Sequence, residues 1–192
     1  MSSGLPVYRT SVAPEWIDYN GHLRDAYYSV IVSSACDAFM DRVGLDAAYR
    51  KRTGCTLYTL EMHIHFLREV KQTDIIDVSV RVLGTDHKRI HAAFDMTCER
   101  FPELAATAEF MLLHVHQGHE PKTQAFPAEV MEALARVTEE SQMAMAAANA
   151  AGSGAGGAAS GSGGAASGSD GAASAPRPVI PGSRRIELRS RS

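Results

Sequence analysis

Long apolar runs are missing from this chain: none approaches the roughly 20 residues that a membrane-crossing helix needs, so no membrane partner is expected. Cysteine is scarce: Cys36, Cys55 and Cys98 are odd in number and widely spaced. That excludes a disulfide scaffold and fits reduced thiols in the cytoplasm. The opening "MSSGLPVYRT" lacks the basic start and apolar run of a secretory leader, and none is expected. No G-x-G-x-x-G follows a strand-like segment, which removes the signature of a dinucleotide-binding domain. Histidine pairs occur at His63/His65 and His114/His116, but no local motif completes the three or four ligands that zinc requires, so no metal is expected. A basic balance is missing too. The net charge is −3; five arginines beyond residue 150, set against Asp170 and Glu187, leave −6 on residues 1–150. Nucleic acid is not the expected partner of so acidic a body.

What is present is the composition of a globular protein, 45% hydrophobic and 21% charged, in a length that suits one ordinary domain. The composition breaks near Ala147. Residues 1–146 carry the core-forming sequence; residues 147–175, rich in glycine, alanine and serine, read as a flexible linker; residues 176–192 read as a basic, disordered tail.

Within the first segment, "LPVYRTSVAP" reads as a short strand between prolines. From Leu23 to Val43, Tyr27, Val30, Ile31, Ser34, Ala35, Ala38 and Phe39 recur at steps that place them on one side of a long helix ending near Gly44. "DAAYRKRTG" suggests a short helix stopped by Gly54. Period-two stretches follow. In "TLYTLEMHIHFLREV", Leu60, Met62, Ile64 and Phe66 are expected on one face, with Thr59, Glu61, His63 and His65 on the other. "DIIDVSVRVLGT", "RIHAAFDMTCER" and "LAATAEFMLLHVHQ" continue the pattern across short turns, which demands antiparallel pairing. "AEVMEALARVTEE", after Pro127, closes the domain as an amphipathic helix. A single antiparallel sheet must cover its apolar face, and the long helix is the available cover. The expected class is therefore α+β, a curved sheet wrapped around a long central helix.

"DYNGH", residues 18–22, lies between the first strand and that helix. Asp and Asn are common helix caps and Asn-Gly makes turns, so ordinary turn chemistry accounts for the pentapeptide without catalysis. The same residues also suit thioester hydrolysis, which needs a base or nucleophile and donors for an oxyanion. Asp18 would activate water or attack directly, and Asn20 or the amides around Gly21 to Leu23 would hold the oxyanion.

The spacing D-x-N-x-H-x-x-x-x-Y formed by Asp18, Asn20, His22 and Tyr27, at the junction of first strand and central helix, resembles the hotdog-fold thioesterases. More narrowly, "VAPEWIDYNGHLRDAYY", "LYTLEMHIHFLREV" and "LGTDHKRIHAAFDM" are similar to the betainyl-CoA thioesterases of bacterial carnitine degradation, some of which are fused to L-carnitine dehydrogenase. With no dehydrogenase signature present, a free-standing enzyme is expected. The resemblance implies a homodimer or homotetramer with acyl-CoA bound at a subunit interface. Coenzyme A is then part of the substrate, and no cofactor is needed. Asp18, Asn20 and His22 become catalytic candidates, and Glu61 an acid supplied across the interface. A betainyl group carries a quaternary ammonium, which carboxylates and aromatic rings recognise, so Trp16, Tyr27 and Tyr28 are candidate acyl-binding residues. Lys88 and Arg89, at a turn, are candidates for the phosphates of coenzyme A. The alternatives are another small acyl-CoA as substrate, or a non-catalytic CoA-binding module. Dehydration is disfavoured: hydratases of this fold carry G-D-x-N-P-x-H, whereas Ile17 precedes this Asp and no proline follows Asn20.

Overall fold

The structure, a computed structural model, describes residues 4–153. Six strands and three helices follow in order: β1 Leu5–Ser11, α1 Asp25–Arg42, α2 Ala47–Thr53, β2 Cys55–Phe66, β3 Ile75–Thr85, β4 Arg89–Cys98, β5 Phe101–His116, β6 Lys122–Thr123 and α3 Ala128–Ser153. A short 3-10 turn, Pro14–Trp16, joins β1 to the "DYNGH" segment. The main strands lie in the order β1-β3-β4-β5-β2, antiparallel throughout, with β6 against the end of β5. The expected element order is observed, with β6 and the 3-10 turn added.

Helix α1 buries Tyr28, Ile31, Val32, Ala35, Cys36 and Phe39. This stripe is turned slightly from the sequence expectation, and Val30 is left exposed. Phe39 meets Phe94 of β4 edge-on, ring centres 6.2 Å apart, and Phe94 meets Phe110 of β5 at 5.1 Å. That aromatic row ties the helix to the middle of the sheet. Ile76, Val78 and Val80 of β3 complete the core beneath it. Helix α2 begins at Asp46, whose carboxylate accepts from the Tyr49 amide at 2.7 Å, and ends at Gly54 in the left-handed region, as its sequence required.

Two expectations need correction. Strand β2 carries a bulge between Thr59 and Glu61: Thr59 pairs with Leu112 and Met62 with Phe110, both core residues. Thr59 therefore lies on the same face as Met62, because one extra residue reverses the alternation. The uninterrupted "TLEMHIH" pattern conceals this. Helix α3 runs on to Ser153, past the composition break at residue 147, since alanine is the strongest helix former. The remainder of the expected linker, and the tail at 176–192, fall outside the described residues. Among the described residues, no helix is long and apolar enough to cross a membrane.

Phe39→Ala removes a fully buried ring from the centre of the core. It is expected to cost about 3–5 kcal/mol in urea unfolding, against under about 0.5 for an exposed position such as Ser33.

Candidate active site

The "DYNGH" segment folds as a tight turn built around one carboxylate. Asp18 Oδ1 accepts from the backbone amides of Asn20 at 2.8 Å and His22 at 3.1 Å. The Asp18 amide donates to His22 O, and Gly21 N donates to Asp18 O. Gly21 has φ +83°, which a residue with a Cβ adopts only with strain. Glycine in "NGH" is thus what permits the turn. The His22 amide, followed by the Asn20 amide and side chain, holds the Asp18 carboxyl below its ordinary range, against the opposing effect of burial. The carboxylate is ionised at neutral pH, and Oδ2 receives no backbone hydrogen bond.

A cleft of about 520 Å³ opens beside this turn, between the start of α1 and the segment that follows β2. Its lining combines three carboxylates, Asp18, Asp25 and Glu69, with His22, the guanidinium groups of Arg24 and Arg68, and the rings of Tyr28 and Phe66. Those rings meet edge-on at 5.0 Å. His22 Nε2 lies 3.0 Å from Glu69 Oε2, Leu23 N donates to Val70 O at 2.7 Å, and the Tyr28 hydroxyl reaches Arg68 O at 3.4 Å. The two walls are therefore stitched together by the turn itself. Phe66, Leu67, Arg68 and Glu69 were not singled out as site residues from the sequence; the "FLREV" run was visible only as the end of a strand.

Of the sequence candidates, Asp18, His22 and Tyr28 line the cleft, and Asn20 adjoins Asp18. The others lie elsewhere in their own chain. Trp16 and Tyr27 stack on each other, centroids 5.5 Å apart, and pack against the core. Glu61 pairs with Met111 on the face of β2 opposite to Ile64 and Phe66, with its carboxylate 3.8 Å from His63. Strand alternation after the bulge turns it away from the cleft. Lys88 and Arg89 follow the far end of β3, while the near end, at Ile75, pairs with Ser11 beside the turn. Arg89 there is held by Asp86 at 2.6 Å. The amides of Gly21, His22 and Leu23 are all bonded to protein acceptors, so they are not the oxyanion donors that the sequence suggested. The Asp25 amide, by contrast, has no acceptor among the described residues. Among the described residues no three His, Cys, Asp or Glu side chains gather to hold a metal. Pairing explains the divided histidines: His63 and His65 stand on one face, while His114 pairs with Leu57 on the other.

Residues 12–134 match the family model of the thioesterase-like superfamily. The chain belongs to that family. Its curved antiparallel sheet around α1 is the hotdog fold, and its members are thioester hydrolases. The chain is similar to a betainyl-CoA thioesterase of Pseudomonas aeruginosa, 44% identical over 70% of this chain and 86% of that protein. It is also similar to an L-carnitine dehydrogenase/betainyl-CoA thioesterase of Agrobacterium fabrum, 39% identical over 68% of this chain. The match spans only 26% of that longer protein. Among solved structures, a Staphylococcus aureus protein in complex with CoA is 30% identical with a TM-score of 0.67, over 73% of this chain and 88% of that one.

Because the folded-state pKa of Asp18 is depressed, its stabilising contribution is full above the ordinary value of 3.8 and is lost as pH falls through the folded value. Asp18→Asn, followed by acid denaturation, should show a weaker dependence on pH below 3.8 than the unaltered chain.

Proposed function

We propose that the chain hydrolyses a short-chain acyl-CoA, with betainyl-CoA preferred, to betaine and free coenzyme A. The observation that carries this reading is the pairing, in one cleft, of an amide-held, ionised Asp18 with aromatic rings suited to a cation. Tyr28 and Phe66 supply ring faces and edges; Asp25 and Glu69 add negative charge beside Arg24 and Arg68, the latter paired with Glu103. A cation–π contact contributes about 0.5–2 kcal/mol per ring, which favours betainyl over an uncharged acyl group of equal size. The similarity to betainyl-CoA thioesterase supports the same substrate.

An ionised Asp18 beside the cleft serves direct attack by a carboxylate oxygen, the route taken in this reading. Attack on the thioester carbonyl forms a mixed anhydride and expels the coenzyme A thiolate; water then cleaves the anhydride and regenerates Asp18. The Asp25 amide at the head of α1 is the candidate oxyanion donor, and the helix dipole adds to it, while Asn20, bonded to Asp18 through backbone and side chain, steadies the carboxylate. His22, paired with Glu69, orients the cleft wall. No cofactor enters, coenzyme A being part of the substrate. The three cysteines are buried and unpaired, which suits a cytoplasmic enzyme.

Self-association belongs to the same reading. Strand β2 is an edge strand of twelve residues, flanked by exposed Tyr58, Leu60, Met62 and Phe66. An unpaired edge of that length favours pairing with another. The occupant we propose is a second copy joined edge to edge, as a homodimer or as half of a homotetramer.

Thiol release from betainyl-CoA, butyryl-CoA and 4-hydroxybenzoyl-CoA tests the substrate. The expected result is betainyl-CoA turnover at least about tenfold above the uncharged acyl groups, a ratio worth about 1.4 kcal/mol, and loss of at least about a hundredfold in Asp18→Asn. Equal rates in the variant would remove Asp18 from the chemistry.

A further inference from the structure

The second wall of the cleft, the segment that leaves β2, lies outside any helix or strand from Leu67 to Val70. Its backbone is held from outside instead. Leu67 and Arg68 both donate their amides to Ala105 O, and the four carbonyls from Arg68 onward are taken up one by one. Arg68 O accepts from the Tyr28 hydroxyl at 3.4 Å, Glu69 O from Arg100 Nη2 at 2.8 Å, Val70 O from the Leu23 amide at 2.7 Å, and Lys71 O from the Asp74 amide at 3.2 Å. Tyr28 and Leu23 line the cleft themselves, and Asp74 follows directly in the same segment. Arg100 does neither: it stands in the turn between β4 and β5 and is not part of the lining.

The Arg100 guanidinium is itself fixed by Asp74. Its Nε lies 3.1 Å from both carboxylate oxygens and its Nη2 lies 2.9 Å from Oδ2, which also accepts from the Lys71 amide at 2.8 Å. The Asp74 side chain is only 10% exposed, and against the upward push of burial Arg100 and the Lys71 amide hold its carboxyl below the ordinary range. The pair is charged and directional. The turn that brings Asp74 to Arg100 passes through Thr73 at φ +67°, which a β-branched residue adopts only with strain, so the surrounding contacts must over-determine it. The other hydrogen of Nη2 goes to Glu69 O. That second bond matters because of how Glu69 stands: its carboxylate meets His22 Nε2 at 3.0 Å, yet its side chain is 70% exposed. An ion pair so exposed contributes too little to fix its own geometry. The backbone has to place it, and the backbone is where Arg100 acts.

We propose that Arg100, oriented by Asp74, is a positioning residue for the acyl-binding wall, holding Glu69 by its carbonyl so that the carboxylate stays on His22 and beside the rings of Tyr28 and Phe66. This rests on the betainyl-CoA reading above and deepens it. Arg100 touches no reacting atom. The bonds on Asp18 come from its own turn, so loss of Arg100 leaves the nucleophile in place and loosens the part of the cleft that selects the acyl group. Arg68 does not substitute for it, being paired with Glu103 at 2.9 Å.

Substrate selectivity is the readout. Arg100→Ala should lower kcat/KM for betainyl-CoA about tenfold, chiefly through KM, and change that for butyryl-CoA by less than about twofold. Because the alanine variant strands the largely buried Asp74 carboxylate, Arg100→Lys is made beside it: an ammonium keeps a cation at Asp74 without reproducing the fork, and the betainyl-to-butyryl ratio should fall in the same direction. In a Glu69→Gln background, Arg100→Ala should lower that ratio no further; additive losses would show that Arg100 does not act through Glu69 and would overturn the assignment. Arg9→Ala, which breaks the ion pairs to Asp77 and to Glu99, the neighbour of Arg100, controls for general loosening. An equal loss of selectivity there, or an unchanged ratio in both Arg100 variants, overturns the assignment as well. A measurement without substrate separates this inference from the acyl-CoA reading. Hydrogen exchange at the amides of Leu67, Arg68 and Lys71 should be faster in Arg100→Lys than in the unaltered chain, with exchange in β3 unchanged. Unaltered exchange at all three would overturn the clamp, whereas faster exchange together with no thiol release from the unaltered chain would support the clamp and overturn the acyl-CoA reading.

Discussion

Two backbone amides, from Asn20 and His22, converge on a single oxygen of Asp18, and the geometry of the cleft follows from that convergence. The turn they close brings His22 against Glu69 and Leu23 against Val70, so that the segment after β2 becomes the second wall. It also determines the state of the carboxyl. Amides that favour the charged form lower its affinity for protons, which leaves an anion at neutral pH in the lining of the cleft, with both backbone amides on Oδ1. Gly21 is required because the chain must pass through a positive φ to bring the His22 amide back to Asp18. The capping chemistry and the catalytic chemistry considered for this pentapeptide are therefore compatible, since the turn that satisfies the carboxylate also prepares it.

The fold was legible in the sequence wherever periodicity was simple. Ile76, Val78 and Val80 alternate without interruption and occupy one buried face of β3; Asp46 and Gly54 bracket α2 as a cap and a stop should. The bulge in β2 was not legible, because Thr59 and Leu60 fit the alternation on either side of it and only the pairing with β5 exposes the extra residue. Likewise the alanine run after residue 147 carries little core-forming character but high helix propensity, and α3 extends into it.

The site was legible in part, for a similar reason. Asp18, Asn20 and His22 are local in sequence and form one turn, so a motif captures them. Phe66, Arg68 and Glu69 reach the cleft only through the tertiary position of β2's exit, which spacing does not encode. Lys88 and Arg89 illustrate the converse: a basic turn looks suited to phosphate, yet the length of β3 sets it at the other end of the sheet from Asp18 in its own chain.

The most direct test of the central claim is a crystal structure of the Asp18→Asn chain with betainyl-CoA bound. The account predicts the thioester carbonyl carbon in contact with the residue 18 side chain, and the trimethylammonium group among Tyr28, Phe66 and Glu69. An acyl group seated away from the "DYNGH" turn, with these residues untouched, would contradict it.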